Sequence, residues 1–290
     1  MGWRTVLISG RAKLDLKLNN MVIRKDETIK VHIPDIAILI IESTTVSITT
    51  ALIERLVEEK IKIIFSGKDH NPIGEIVNYY NKHNSVAIIR KQISWTESIK
   101  KKVWTEIIKE KIKNQAVLVS CESKEKSNLL LNYVLEIKEG DISNREGHAA
   151  KVHFNTLFGK DFIRNDDDAI NAMLNYGYTL LLSSFTREII ASGYLTQIGI
   201  FHDNQFNYYN LASDLMEPLR PMIDKIVYLS YPEYFGREEK MEILTIFEKE
   251  VLIGSTKYTL LNAISEYCKS VFKALEEGDA ELIKFIDYEL

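Results

Sequence analysis

The sequence predicts an α+β protein: a small N-terminal β-rich domain carrying one helix, then a larger all-α C-terminal domain. Three observations carry this expectation. Alternating apolar residues and short aliphatic runs fill residues 1–78, as half-buried and fully buried strands require. The polar, Asn-rich stretch 79–85 interrupts that pattern and reads as a linker. From residue 86 to residue 290 apolar residues recur almost entirely at three- and four-residue spacing.

In the first part, Ala12, Leu14, Leu16 and Leu18 alternate with Lys13, Asp15 and Lys17, which predicts a strand with one face in a core. Asn19-Asn20, ahead of "MVIR", predicts a hairpin turn, because asparagine tolerates positive backbone φ. "TIKVHI", "IAILIIES" and "IKIIFS" continue the strand signals. Between the last two, "TTALIERLVEEK" has Leu52, Leu56 and Val57 at helical spacing.

In the second part, Ser94-x-x-Glu97 reads as a capping box opening a long amphipathic helix through Ile99, Val103, Trp104, Ile107, Ile108 and Ile112. Further helices are expected at about 124–138, 144–158, 168–192, 211–229, 239–250 and 257–275. A chain of 290 residues with 46% hydrophobic content can bury two such cores.

Composition narrows the function classes. Cys121 and Cys268 stand far apart without zinc-ligand spacing, so neither a disulfide framework nor a structural zinc site is supported, and a reducing compartment fits. The aliphatic run 36–41 is far shorter than a membrane span, and the first residues lack a secretory signal pattern. A soluble, cytoplasmic protein is expected. Net charge is −4, yet residues 82–126 hold eleven Lys/Arg against five Glu. In that stretch Arg90, Lys91, Lys100, Lys101, Lys102, Lys109, Lys111 and Lys113 interleave with Trp95 and Trp104. They read either as phosphate-binding cations or as a solvated helix face over core tryptophans.

Candidate chemistry falls on acids and one imidazole. Glu146 lies in "SNREGHAAKVHFNTLFG", where Ser143-x-x-Glu146 is also a capping box and Gly147, Ala149 and Ala150 permit close approach to the helix start. His202 follows the apolar run "IGIF" and precedes a polar turn. Asp214 and Glu217, three apart in "LASDLMEPLRP", should share one side of a helix kinked by Pro218 and Pro221, with Arg220 near enough to pair with Glu217. Two carboxylates and an imidazole from three elements would make a hard-cation site suited to Mg2+ or Mn2+. A capped, ion-paired surface is the competing reading.

Taken in order, "REGHAAKVHFNTLFG", "DDDAINAMLNYGYTLLLSSFTREIIASGY" and "QIGIFHDNQFNYYNLASDLMEPLRP" resemble the motifs of the CRISPR-associated integrase that acquires new spacers, the family often called Cas-one, and most closely its type II, Cas9-associated branch. The resemblance spans about residues 146–221 and agrees with the two-domain layout. It implies that Glu146, His202 and Glu217 are the catalytic metal ligands, with Asp214 a close neighbour, and that Mg2+ or Mn2+ is the cofactor. Asn171, Asn175 and Tyr176 would lie on the family's core helix, supporting the site or touching DNA.

The implied activity joins the 3′-hydroxyl ends of a short protospacer duplex to the repeat boundaries of a CRISPR array by transesterification. The implied partners are double-stranded DNA, a second copy joined through the β-rich domain, a small second CRISPR-associated adaptation protein completing a heterohexamer, and other type II adaptation proteins including Cas9. Arg90, Lys91, Lys100, Lys101, Lys102, Lys109 and Arg220 are candidate DNA contacts. A hydrolytic metal-dependent nuclease or phosphodiesterase, and a non-enzymatic DNA-binding scaffold, are the alternatives.

Overall fold

The computed structural model describes residues 2, 4–67, 72–76 and 84–290, so most of the linker expected at 79–85, with His70 and His83, lies outside the described residues. The chain divides into two units, Met1–His83 and Asn84–Leu290.

The first unit contains β1 (Arg4–Ile8), β2 (Ala12–Lys17), β3 (Asn20–Arg24), β4 (Thr28–His32), β5 (Ile36–Ile41), β6 (Val46–Ile48), α1 (Thr50–Glu58), β7 (Lys62–Ser66) and β8 (Pro72–Ile76). One sheet runs β1-β5-β7-β8 and the other β4-β3-β2-β6. β5 is buried along its whole length, as an aliphatic strand flanked by parallel neighbours should be. The core joins Leu14 and Met21 of the second sheet to Leu39 and Ile63 of the first and to Leu52 and Leu56 of α1. The turn after β2 differs from expectation by one residue. Positive φ falls on Leu18 and Asn19 rather than on Asn19-Asn20, and Leu18 is 87% exposed instead of joining the apolar face. Asn20 enters β3 and its side-chain amide donates to the Leu18 carbonyl at 2.7 Å, which stabilises the earlier turn.

The second unit contains α2 (Ser85–Ile93), α3 (Glu97–Val119), α4 (Lys124–Glu136), α5 (Arg145–Phe158), α6 (Ala169–Ser192), α7 (Asn210–Leu215), α8 (Arg220–Ser230), α9 (Arg237–Leu244), β9 (Glu250–Ile253), β10 (Thr256–Thr259) and α10 (Leu260–Glu277). The hairpin β9–β10 replaces the ends of two expected helices, and Gly254 at φ +62° makes its turn. The capping box expected at Ser94 is also displaced. Ser94 closes α2, donating its hydroxyl to the Lys91 carbonyl, while Thr96 caps α3 by accepting from the Ile99 amide. No helix among the described residues is long and apolar enough to cross a membrane.

α3 and α6 form the middle of this unit, α3 packing on α4, α5, α8 and α10, and α6 on α7, α8, α9 and α10. Gly177 lets α6 approach α8 closely: a β-carbon there would stand 2.5 Å from Ile223 Cγ2. That contact fixes α8, and through it the short segment carrying Asp214, Glu217 and Arg220.

Candidate active site

Lys111 forms the floor of the site. It lies on the α3 face shared with Ile107, Ile108 and Ile112, and its side chain is only 7% exposed. An isolated ammonium in such a place is heavily penalised. Here the Nζ is 2.5 Å from Glu146 Oε1 and 2.5 Å from Glu217 Oε2. Burial alone would lower the Lys111 pKa, but Glu217 and Glu146 outweigh it and hold the amine above its ordinary value.

Glu146 is free to reach Lys111 because another residue caps α5. The expected Ser143 capping box is absent: Asn144 occupies the cap in the left-handed region at φ 52°, and Ser143 Oγ is buried without a hydrogen-bond partner among the described residues. The Asp141 carboxylate instead accepts from the Arg145 amide at 2.8 Å and the Glu146 amide at 2.9 Å. A full negative charge suits the positive end of the helix dipole better than a hydroxyl does. Gly147 is required beside it, since a β-carbon there would meet Asn144 Oδ1 at 2.8 Å.

Pro218 divides what was expected to be one helix over 211–229. It has no amide hydrogen to continue α7, so α7 stops at Leu215, Glu217–Leu219 form a tight 3-10 turn, and α8 begins at Arg220. The expectation that Asp214 and Glu217 face the same way is thereby corrected. Glu217 turns to Lys111 and to Arg220, whose Nε is 2.9 Å from Oε1. Burial would raise the Glu217 pKa, yet Arg220 and Lys111 hold this carboxyl below its ordinary value. Arg220 also lies over the Tyr178 ring, 4.7 Å from its centroid. The Pro218 carbonyl accepts from Asn114 Nδ2 at 3.0 Å and from the Tyr288 hydroxyl at 2.6 Å, which fixes the turn.

Asp214 serves the segment that presents His202. Its Oδ2 accepts from the amides of Ile200 at 2.6 Å and Phe201 at 3.1 Å, and its Oδ1 from the His202 amide at 3.1 Å and Nδ1 at 2.6 Å. Gly199 makes room, because a β-carbon would stand 2.3 Å from the His202 carbonyl oxygen. Gln92 pins the start of the same segment through the Leu195 and Ile198 carbonyls at 2.8 and 2.9 Å. A carboxylate can only accept here, so Nδ1 carries the proton and Nε2, without a partner among the described residues, is left to bind something else. The hydrogen bond to Asp214, opposed by burial, raises the His202 pKa. The Trp104 ring meets the imidazole edge-on at 5.8 Å.

Glu146 and Glu217 therefore meet on the Lys111 ammonium, and His202 lies near enough to Glu217 to feel its charge, while Asp214, with both oxygens engaged, orients His202. Among the described residues no three acidic, histidine or cysteine side chains are gathered closely enough to hold an ion, and the Lys111 ammonium stands between the two glutamates. The donor set nonetheless fits a hard divalent cation. Two carboxylates converge on one cationic atom, the buried Glu217 Oε2 is met by the Lys111 ammonium, and His202, whose charge interacts with that of Glu217, keeps Nε2 open.

The basic stretch behaves partly as an ordinary helix face. Lys100, Lys109 and Lys113 pair with Glu97, Glu106 and Glu110 three residues earlier, Lys91 pairs with Glu276, and Trp95 and Trp104 are core residues. Arg90, Lys101 and Lys102 are exposed and carry no ion pair among the described residues. Arg220 faces inward to Glu217 and Tyr178. On α6, Asn171 and Asn175 hold Arg164 at 3.0 and 2.7 Å, and Tyr176 is buried against Phe235.

Sequence reasoning missed Lys111 as a site residue, although a lysine inside the Ile107, Ile108, Ile112 stripe was the available signal. It also missed Phe201, Phe206 and Tyr208, which follow closely on His202 in the chain or adjoin it and are 53%, 80% and 71% exposed. Of the three, Phe201 meets the His202 ring edge-on at 5.8 Å.

Comparison with known proteins gives one answer. The model of the family described as CRISPR associated protein Cas1 matches residues 6–231. The CRISPR-associated endonuclease Cas1 of Neisseria meningitidis serogroup C (strain 8013) is 31% identical over 291 residues, covering 98% of this chain and 96% of that protein. Among solved structures, a casposase bound to integration product superposes with a TM-score of 0.80 at 16% identity, covering 97% of this chain and 94% of the other. A chain of a Cas6-RT-Cas1–Cas2 complex superposes with a TM-score of 0.75 at 16% identity, covering 97% of this chain, which spans 36% of that longer one. The two structural likenesses speak for the fold, whereas the family match and the Neisseria relative extend over most of the sequence itself, and on those grounds the chain belongs to the Cas1 family of CRISPR-associated proteins.

Proposed function

We propose that this Cas1 family member joins the 3′-hydroxyl ends of a short DNA duplex to the repeat boundaries of a CRISPR array by metal-dependent transesterification, in the cytoplasm of a prokaryote. The observation that carries the reading is the convergence of Glu146 and Glu217 on one cation position, with His202 close enough to Glu217 for their charges to interact. The similarity in fold to a casposase bound to integration product supports joining over cutting.

Glu146, Glu217 and His202 would hold Mg2+ or Mn2+, which when bound polarises the scissile phosphate and offsets charge in the transition state. Asp214 fixes the imidazole so that its Nε2 lone pair faces outward. In the free protein Lys111 and Arg220 balance the two glutamates, which lowers the repulsion felt by an approaching phosphodiester. In the joining step the attacking 3′-oxygen forms a bond to phosphorus while the bond from phosphorus to the array strand's 3′-oxygen breaks. The proton of the attacking hydroxyl leaves to solvent and the departing oxygen takes one up, so the number of phosphodiesters is unchanged.

Arg90, Lys101 and Lys102 are suited to the DNA backbone, and Phe201, Phe206 and Tyr208 to stacking on unpaired bases. A duplex has two ends, so two sites are needed. Homodimers joined through residues 1–78, bridged by the small second adaptation protein into a heterohexamer and supplied with DNA alongside Cas9, would provide them.

Strand transfer tests the reading: the protein with and without its small partner, a 3′-hydroxyl duplex, a supercoiled CRISPR plasmid and Mn2+ or Mg2+, against Glu217→Gln. Joined products lost in the variant are expected. Release of nucleotides without joining would replace it with the hydrolytic activity that the Neisseria relative's name states for that protein.

A further inference from the structure

Lys111 is harder to place than the acids around it. Helix α3 is not short of solvent-facing positions for a lysine, yet this one is buried among isoleucines with its ammonium 2.5 Å from each of the two glutamates read as ligands. A divalent ion held by those oxygens would stand about 2.0–2.6 Å from them. It would then press directly on the ammonium, and the two cations cannot share the carboxylates at low cost.

Arg220 cannot yield, because its guanidinium is fixed between Glu217 and the Tyr178 ring. Lys111 can. Its charge sits on a flexible four-carbon stem with three rotatable donors. What it lacks in the free protein is a second anion to move to, and a DNA phosphate at this site would supply one.

We propose that Lys111 is a resident counter-cation: it occupies the glutamates while the protein is free of nucleic acid and yields them to a divalent ion when a DNA phosphate arrives to receive its ammonium. The inference rests on the metal reading above and adds a regulation to it. Divalent ion and DNA then bind cooperatively, each tightening the other by the same factor. The free protein carries little metal and is correspondingly idle as a nuclease.

The test is Mn2+ binding, read from the spin-resonance signal of free Mn2+, on the full chain with and without a short duplex, after subtracting duplex-only binding. Wild type is expected to bind Mn2+ weakly alone and about tenfold more tightly with duplex. Lys111→Met is expected to bind Mn2+ alone as tightly as wild type does with duplex, and to gain little from DNA. Equal wild-type affinity with and without duplex would overturn the proposal, and so would a folded Lys111→Met that binds Mn2+ no more tightly than wild type. If that variant does not fold, Lys111→Gln takes its place, and the wild-type comparison stands without either. Mn2+ binding that survives in both Glu146→Gln and Glu217→Gln would overturn the site reading itself, which separates that failure from failure of the counter-cation.

Discussion

Among the described residues the helical unit holds two close histidine–aspartate pairs, one at the site and one behind it. His202 is 39% exposed at the side chain and gives Nδ1 to Asp214, leaving Nε2 open. His153 is wholly buried and bonds Asp224 through Nε2 at 2.9 Å, while its Nδ1 has no partner among the described residues. Asp214 is surrounded by three backbone amides of the loop it serves, whereas Asp224 receives the Tyr178 hydroxyl. The same two residue types thus do different things. The first pair aims an imidazole outward. The second ties α5 to α8, and so braces Glu146 against the helix that begins at Arg220.

The sharpest way to break this contrast is to remove each imidazole in turn. His202→Ala should lower strand transfer by at least about a hundredfold with little change in Tm, since a ligand is lost from a partly exposed position. His153→Ala should do the opposite, costing about 3 kcal/mol or more by leaving a cavity and depriving the buried Asp224 Oδ2 of its partner, while activity per folded molecule stays within a few-fold. Thermal melts alongside strand-transfer rates check both. Asp214→Asn comes next: four donors lose a charged acceptor, and Mn2+ affinity, measured by titration, should fall about 10- to 100-fold.

The pH dependence sharpens the first pair. The His202 pKa is raised, chiefly by the hydrogen bond to Asp214, so the stabilisation from its protonated form is fully present below its ordinary value near 6.5 and is lost as pH rises through the raised folded value. A ligand must be neutral, so Mn2+ affinity should climb across that same window, and the window should move down in Asp214→Asn. Glu217 runs the other way. With its pKa lowered, chiefly by Arg220 and Lys111 against burial, its contribution is present above about 4.5 and lost as pH falls through the folded value, visible as a drop in Tm in acid. Smaller still, Tyr178→Phe removes one donor from Asp224 and should cost about 1.5 kcal/mol in denaturant unfolding. Lys109→Ala, which loses only the pair with Glu106, should change stability by less than about 0.5 kcal/mol.

Much of this architecture was readable from spacing. α3, α5 and α6 follow strong apolar periodicity, and Gly193 at φ +89° ends α6 near where the pattern stops. The hairpin β9–β10 was not, because Val251-Leu252-Ile253 is an apolar run too short to tell strand from helix without knowing that Gly254 turns it. At the site, the acids and the imidazole stood out as residue types, but their division of labour did not. Ser143 and Glu146 match a capping box, and only the fold shows that Asp141 takes the amides. Lys111 was one cation among eight in a charged stretch, and its burial depends on helices that come later in the chain.

The separation of these partners in the chain bears on how the molecule is made. The Lys111–Glu146 pair closes 35 residues, and Asn114 meets the Pro218 carbonyl 104 residues on. During synthesis α3 is complete well before Glu217 exists, and until then a lysine in the middle of its apolar stripe has at most half its eventual charge partners. Loop closure over such spans is slow compared with forming a helix. The nascent chain therefore passes through a stage in which its helices are present and its chemistry is not, and catalytic competence arrives late, as a product of tertiary assembly.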